Sequence, residues 1–121
     1  MKGLGVHALV ELNECDAQLL DDPKLLESSL LNSAKLAGAT ILSSHFHQFS
    51  PQGVSGVVII EESHFSGHTW PEFGYAAIDF FTCSDKMDFK VAYDFLVNAL
   101  ESKKPSYETY DRGLETNVVV P

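Results

Sequence analysis

Apolar and polar residues alternate near the start of the chain, where Val6, Ala8, Val10 and Leu12 are interleaved with His7, Glu11 and Asn13. A period of two belongs to a strand with one buried face, so the first element is predicted to be β. After a polar, turn-like stretch from Cys15 to Asp22 the period changes, and Leu25, Leu26, Ser29, Leu30, Ser33, Leu36 and Ala37 recur at helical spacing. Asp22 before Pro23 reads as an N-cap followed by proline at the first helical position, and Gly38 reads as a C-terminal stop. These signals predict an amphipathic helix over 23–37.

Ala39–Phe49 is rich in β-branched and aromatic residues and reads as a second strand; Ser50–Gly53 is a turn and Val54–Glu61 a third strand, with Val57–Ile60 apolar enough for burial on both faces. Tyr75–Cys83 reads as a fourth strand. A second helix follows, capped by Asp85 or Asp88, with Phe89, Ala92, Tyr93, Leu96, Ala99 and Leu100 on one face and Lys103 and Lys104 at its dipole's negative end. Ser106–Arg112 reads as a short edge strand, while the tail from Glu115, including Val118–Val120, is assigned to no element. Runs of strands broken by two helices predict an α+β fold. The expected form is a two-layer sandwich: a mainly antiparallel four-stranded sheet, extended at most by that edge strand, with two helices on one face. A second subunit is a natural cover for the other face.

The chain has 121 residues, which is one domain spanning 1–121. Lys and Arg number 8 against 17 Asp and Glu, a formal net charge of −9. That balance argues against nucleic acid and anionic membranes as partners, and it suits a cationic small molecule. No apolar run approaches the roughly 20 residues of a membrane span. The N-terminal stretch lacks a signal peptide's apolar block, and two cysteines, Cys15 and Cys83, suggest free thiols in a reducing compartment. The expectation is a cytoplasmic protein.

Glu61–Glu72, between the third and fourth strands, concentrates three carboxylates, two serines, His64, His68 and Trp70 in one stretch. A plain connection needs none of these, although a polar link whose tryptophan plugs the sheet's end would account for them. Other readings compete. His45, His47, His64, His68 and Cys83 have zinc-ligand chemistry, but no Cys-x-x-Cys or His-Glu-x-x-His motif anchors them. A Ser-His-acid hydrolase lacks its G-x-S-x-G elbow. Cys83 is either a thiol nucleophile or a small residue ending a strand. On residue types alone these alternatives stay open.

Glu62–Ser63–His64, then His68–Thr69–Trp70–Pro71–Glu72–Phe73–Gly74–Tyr75–Ala76–Ala77–Ile78–Asp79, then Phe81–Thr82–Cys83, resemble the bacterial and archaeal S-adenosylmethionine decarboxylase family. So do Pro51–Gln52–Gly53–Val54–Ser55–Gly56–Val57 and Lys2–Gly3–Leu4–Gly5, and the similarity runs to about Gly113. Members of that family are pyruvoyl enzymes made as precursors that cut themselves. Loss of carbon dioxide from an amino acid leaves a carbanion that side chains cannot stabilise, so an electron sink is required. The resemblance implies that Ser63 attacks the carbonyl of Glu62 to form an ester, that elimination gives dehydroalanine, and that hydrolysis leaves a pyruvoyl group. The products would be a β chain, residues 1–62, and an α chain, residues 63–121.

The resemblance further implies that His68 is the base for the elimination, that Ser55 assists processing, and that Cys83 is the acid that protonates the product. Glu72 matches a position that holds the ribose hydroxyls. Phe49 would stack on the adenine or face the sulfonium, and Trp70 would act likewise or simply pack. His64 would shape the cut site without a catalytic role, and no metal is expected. The family usually carries an aliphatic residue where this chain has Gly67, which makes the pocket's shape an open point. The implied activity is decarboxylation of S-adenosylmethionine to the aminopropyl donor of spermidine synthesis, by a homodimer of cleaved protomers. The rivals are the same chemistry on arginine or ornithine, and a non-catalytic homologue.

Overall fold

The computed structural model describes residues 3–114. Six strands form one sheet: β1 (Gly5–Asn13), β2 (Ile41–Gln48), β3 (Val54–Ile60), β4 (Ser63–Trp70), β5 (Tyr75–Thr82) and β6 (Lys104–Arg112). Their spatial order is β2-β3-β4-β5-β1-β6, and every neighbouring pair is antiparallel. Among the described residues three α-helices accompany it, α1 (Ala17–Leu20), α2 (Pro23–Ala37) and α3 (Phe89–Ala99), together with a short 3-10 turn at Pro71–Phe73.

The caps act as the sequence indicates. The Asp22 side chain accepts from the backbone N–H groups of Lys24 and Leu25, Pro23 opens α2, and Gly38 closes it at φ 98°, a left-handed conformation that glycine adopts without Cβ strain. Asp88 caps α3 through the N–H of Val91. The stretch after Cys15, read as a turn, contains the single turn α1, capped by Asp16.

Leu26, Leu30 and Ala34 of α2 and Ala92 and Leu96 of α3 are fully buried against one face of the sheet. That face presents Ala8, Val10 and Leu12 of β1, Val58 of β3, Phe65 of β4, and Ala76, Ile78 and Phe80 of β5. Phe65 and Phe80 stack at 4.3 Å between ring centroids at the centre of the layer. Polar groups in this core are paired: the Thr69 hydroxyl donates to the carbonyl of Leu20 and accepts from the N–H of Val54.

The two-layer α+β architecture is the expected one, but the sheet is larger. Ser63–Trp70 is a full strand, paired with β3 and β5, where the sequence suggested a connection. Its inward positions are Phe65, Gly67 and Thr69, so a glycine and a threonine hide the apolar half of the alternation. The last strand is not short: it pairs along all of β1, from Gly5 opposite Arg112 to Asn13 opposite Lys104. Val57 is half-buried and Ile59 is exposed, so β3 is covered on one face only. The Val118–Val120 stretch lies outside the described residues.

Gly56 marks the tightest contact between β2 and β3. A Cβ there would lie 1.9 Å from the Phe46 ring. Gly56→Ala is therefore expected to lower stability by about 1–3 kcal/mol, as overpacking does, read as a reduced midpoint in urea unfolding.

Candidate active site

The face of the sheet away from the helices carries the polar chemistry. Along β4 the outward positions are His64, Ser66, His68 and Trp70; β5 adds Tyr75, Ala77, Asp79 and Phe81, and β1 adds His7, Leu9 and Glu11. Strand alternation sends these side chains outward while their sequence neighbours fill the core.

One group lies at the β3–β4 turn. Glu61 and Glu62 form a two-residue turn, and Ser63 opens β4 with φ 146°. That value is outside the range a serine favours, so the backbone is strained where the resemblance expects the cut. The N–H of Cys83 donates to the carbonyl of Glu62 at 2.9 Å, and the Glu62 carboxylate accepts from the N–H of Thr40 at 3.1 Å. Cys83 itself is exposed just beyond β5. Cys15 differs: it is partly buried, its thiol donates to the carbonyl of Leu12, and burial raises its pKa above the usual thiol value.

The second group lies at the other end of β4. Ser55 pairs with His68 in register, and the serine Oγ is 2.7 Å from His68 Nδ1. Phe49, Ser55, His68, Trp70 and Glu72 line one cleft of about 310 Å³. Trp70 also stacks on Tyr75 at 5.4 Å. The structure thus brings five of the expected residues together but separates them from Glu62, Ser63 and Cys83. His68 is five residues along β4 from Ser63, roughly 16 Å at the rise of an extended strand.

Between these groups stands a network that residue types alone did not reveal. Asp79 accepts from His7 Nε2 at 2.6 Å, from His64 Nε2 at 3.0 Å and from the Ser66 hydroxyl. Arg112 donates to His7 Nδ1 at 2.9 Å, so His7 must carry its proton on Nε2. Burial by itself would raise the Asp79 pKa, but the hydrogen bonds from His64, Ser66 and His7 outweigh it and hold the carboxyl at about 2. A carboxylate in the otherwise apolar run Tyr75–Thr82 was the available signal for Asp79, while His7 looked like an ordinary outward position. The candidate zinc ligands weighed from residue types do not assemble; among the described residues the clustered ligand groups are His7, His64 and Asp79, with the Arg112 guanidinium beside them.

A family model described as S-adenosylmethionine decarboxylase matches residues 6–113. The chain belongs to the S-adenosylmethionine decarboxylase family. It is 46% identical over 121 residues to a protein of Thermotoga petrophila named S-adenosylmethionine decarboxylase proenzyme, covering all of this chain and 93% of that one. A protein of the same name from Pseudomonas aeruginosa is 49% identical over 111 residues, 92% of this chain and 69% of that one. The crystal structure of the adenosylmethionine decarboxylase from Aquifex aeolicus superposes with a TM-score of 0.84 at 36% identity, covering all of both chains.

Gly67, which left the pocket's shape open in the sequence, does not face the cleft. It lies on the helix side of β4, where an added Cβ would meet Leu30 at 3.2 Å and Ile78 at 3.5 Å. The absent side chain makes room for the helix layer, and the wall formed by His68 and Trp70 is untouched.

The depressed Asp79 pKa predicts a pH dependence. Its contribution to stability is fully present above the ordinary value of 3.8 and is lost as pH falls from there through about 2. Asp79→Asn should cost on the order of 2 kcal/mol at pH 7. The gap to the native chain should close in the acid range when urea unfolding is followed from pH 7 to pH 2.

Proposed function

We propose that the protein is a self-processing decarboxylase that acts on S-adenosylmethionine, with each active site shared between two copies of the chain. The carrying observation is the peptide between Glu62 and Ser63: a strained serine follows a carbonyl that the Cys83 N–H polarises. Withdrawing electrons from that carbonyl carbon favours attack by the Ser63 hydroxyl, and the strained φ raises the energy of the intact turn. The resulting ester would be eliminated when a base removes the Ser63 α-proton, and hydrolysis would leave a β chain of residues 1–62 and an α chain of residues 63–121. Each fragment retains strands of one sheet, so they stay together after the cut.

The residues at the cut fit a pyruvoyl group, because Ser63 heads the α chain with Cys83 adjoining. That group supplies the electron sink for the carbanion left when carbon dioxide departs. Cys83 returns a proton to the substrate's α-carbon. Phe49 and Trp70 offer aromatic faces to an adenine or a sulfonium, and Glu72 offers a carboxylate to ribose hydroxyls.

The separation of Ser63 and Cys83 from Ser55 and His68 supports a shared site. Both groups lie on the bare face of the sheet, which exposes Leu9, Ile59 and Trp70 by 43%, 37% and 41%. A two-fold axis lying between two such faces and running across the strands would lay one copy's turn against the other copy's cleft, twice over. His68 of one copy would then serve as the base at Ser63 of the other, with Ser55 fixing its ring.

Denaturing mass spectrometry should show two fragments meeting at Glu62–Ser63. Ser63→Ala should abolish the cut, whereas Cys83→Ala should cut and lose about 10²-fold or more in carbon dioxide release, the scale of general acid catalysis. Release from arginine or ornithine, with none from S-adenosylmethionine, would refute the substrate assignment.

Sharing has its own test. Ser63→Ala and His68→Ala chains should each stay uncut alone, while their co-expression should yield cleaved His68→Ala chains. No cleavage in the mixture would refute the shared site.

A further inference from the structure

We infer that His64 is the general base that activates Ser63 for self-cleavage, and that Asp79 positions it; this rests on the processing reading above. Ser63 Oγ lies 3.5 Å from His64 Nδ1, while His64 Nε2 lies 3.0 Å from an Asp79 carboxylate oxygen. Consecutive side chains of a regular strand point to opposite faces, so a serine and the histidine after it should not meet. Here they do, at the residue whose φ of 146° departs from regular β geometry. The hydroxyl–imidazole distance is long for a formed hydrogen bond, as catalytic contacts commonly are before reaction.

The tautomer follows from the partners. Asp79 is an acceptor held ionised, so His64 presents its proton on Nε2 to the carboxylate and leaves the Nδ1 lone pair facing the serine. His7 and Ser66 also donate to Asp79, and Arg112 donates to His7, so the carboxylate is anchored from β1, β4 and β6. The order of groups, hydroxyl to imidazole to half-buried carboxylate, is the one that activates a serine elsewhere on unrelated folds. The His68–Ser55 pair, at the far end of the same strand, leaves this first step without a base in its own chain.

The step balances. As the Ser63 Oγ bonds to the Glu62 carbonyl carbon, its proton passes to His64 Nδ1, and the Cys83 N–H stabilises the oxygen that gains charge. The carbon–nitrogen bond then breaks, and His64 returns the proton to the nitrogen of Ser63. The product is an ester between Glu62 and Ser63 Oγ with a free α-amine, and His64 is restored. The later elimination is a separate proton transfer and belongs to His68.

The test follows freshly synthesised full-length chain by denaturing mass spectrometry, with and without hydroxylamine, which cleaves esters and spares amides. His64→Ala should cleave at least about 10²-fold more slowly than the native chain. It should gain no fragment with hydroxylamine and recover in part with free imidazole. His68→Ala should release fragments with hydroxylamine because its ester accumulates. His64→Gln keeps a donor for Asp79 but cannot take a proton; it should keep a native-like melting transition and still cleave slowly, which separates chemistry from folding. Cleavage of either His64 variant at the native rate, or hydroxylamine release from it, would overturn the role of His64 and leave the processing reading standing. A native chain that never cuts would overturn both.

Discussion

Helices α2 and α3 cover one face of the antiparallel sheet and leave the other bare. The burial of Leu26, Leu30, Phe65 and Phe80 between the layers fixes which way every strand faces. Because side chains alternate along the strands, that choice also fixes the outward set, and His7, His64, Ser66, His68 and Asp79 follow from it. A slip of one residue in β4 would send its histidines into the core and expose Phe65. Core packing and site geometry are therefore one constraint seen from two sides.

The bare face is neither a plain polar surface nor a second core. It holds charged groups tied to one another around Asp79, and apolar side chains such as Leu9 and Ile59 that remain in contact with water in the single chain. A surface of this kind suits burial against an identical surface, where apolar area is removed from water and the charged groups already have partners. In the proposed assembly the sheet is both the scaffold of each protomer and the wall of the site.

Self-processing at the Glu62–Ser63 turn, as proposed, would let a small domain dispense with a separate cofactor module. Strands β3 and β4 meet in a two-residue turn, and the residue just after β5 supplies the Cys83 N–H that grips the Glu62 carbonyl. Strain at Ser63 is tolerated because flanking ladders on both sides of β4 hold the serine in place.

The first strand, the capped helix α2 and the helix α3 were legible because their signals are local: a period, an aspartate before a proline, a glycine after an apolar stripe. The motif around Ser63 and His68 was legible as a family resemblance. Strand β4 was obscured because Gly67 and Thr69 occupy core positions that only the overlying Leu30 and the Leu20 carbonyl make sensible. The Asp79 network joins residues 7, 64, 66, 79 and 112, which no periodicity links. The sequence by itself determined the local elements, the acidic surface and the chemistry available at the turn. Tertiary structure decided which of those groups meet, because hydrogen bonds between strands depend on register across the sheet and not on distance along the chain.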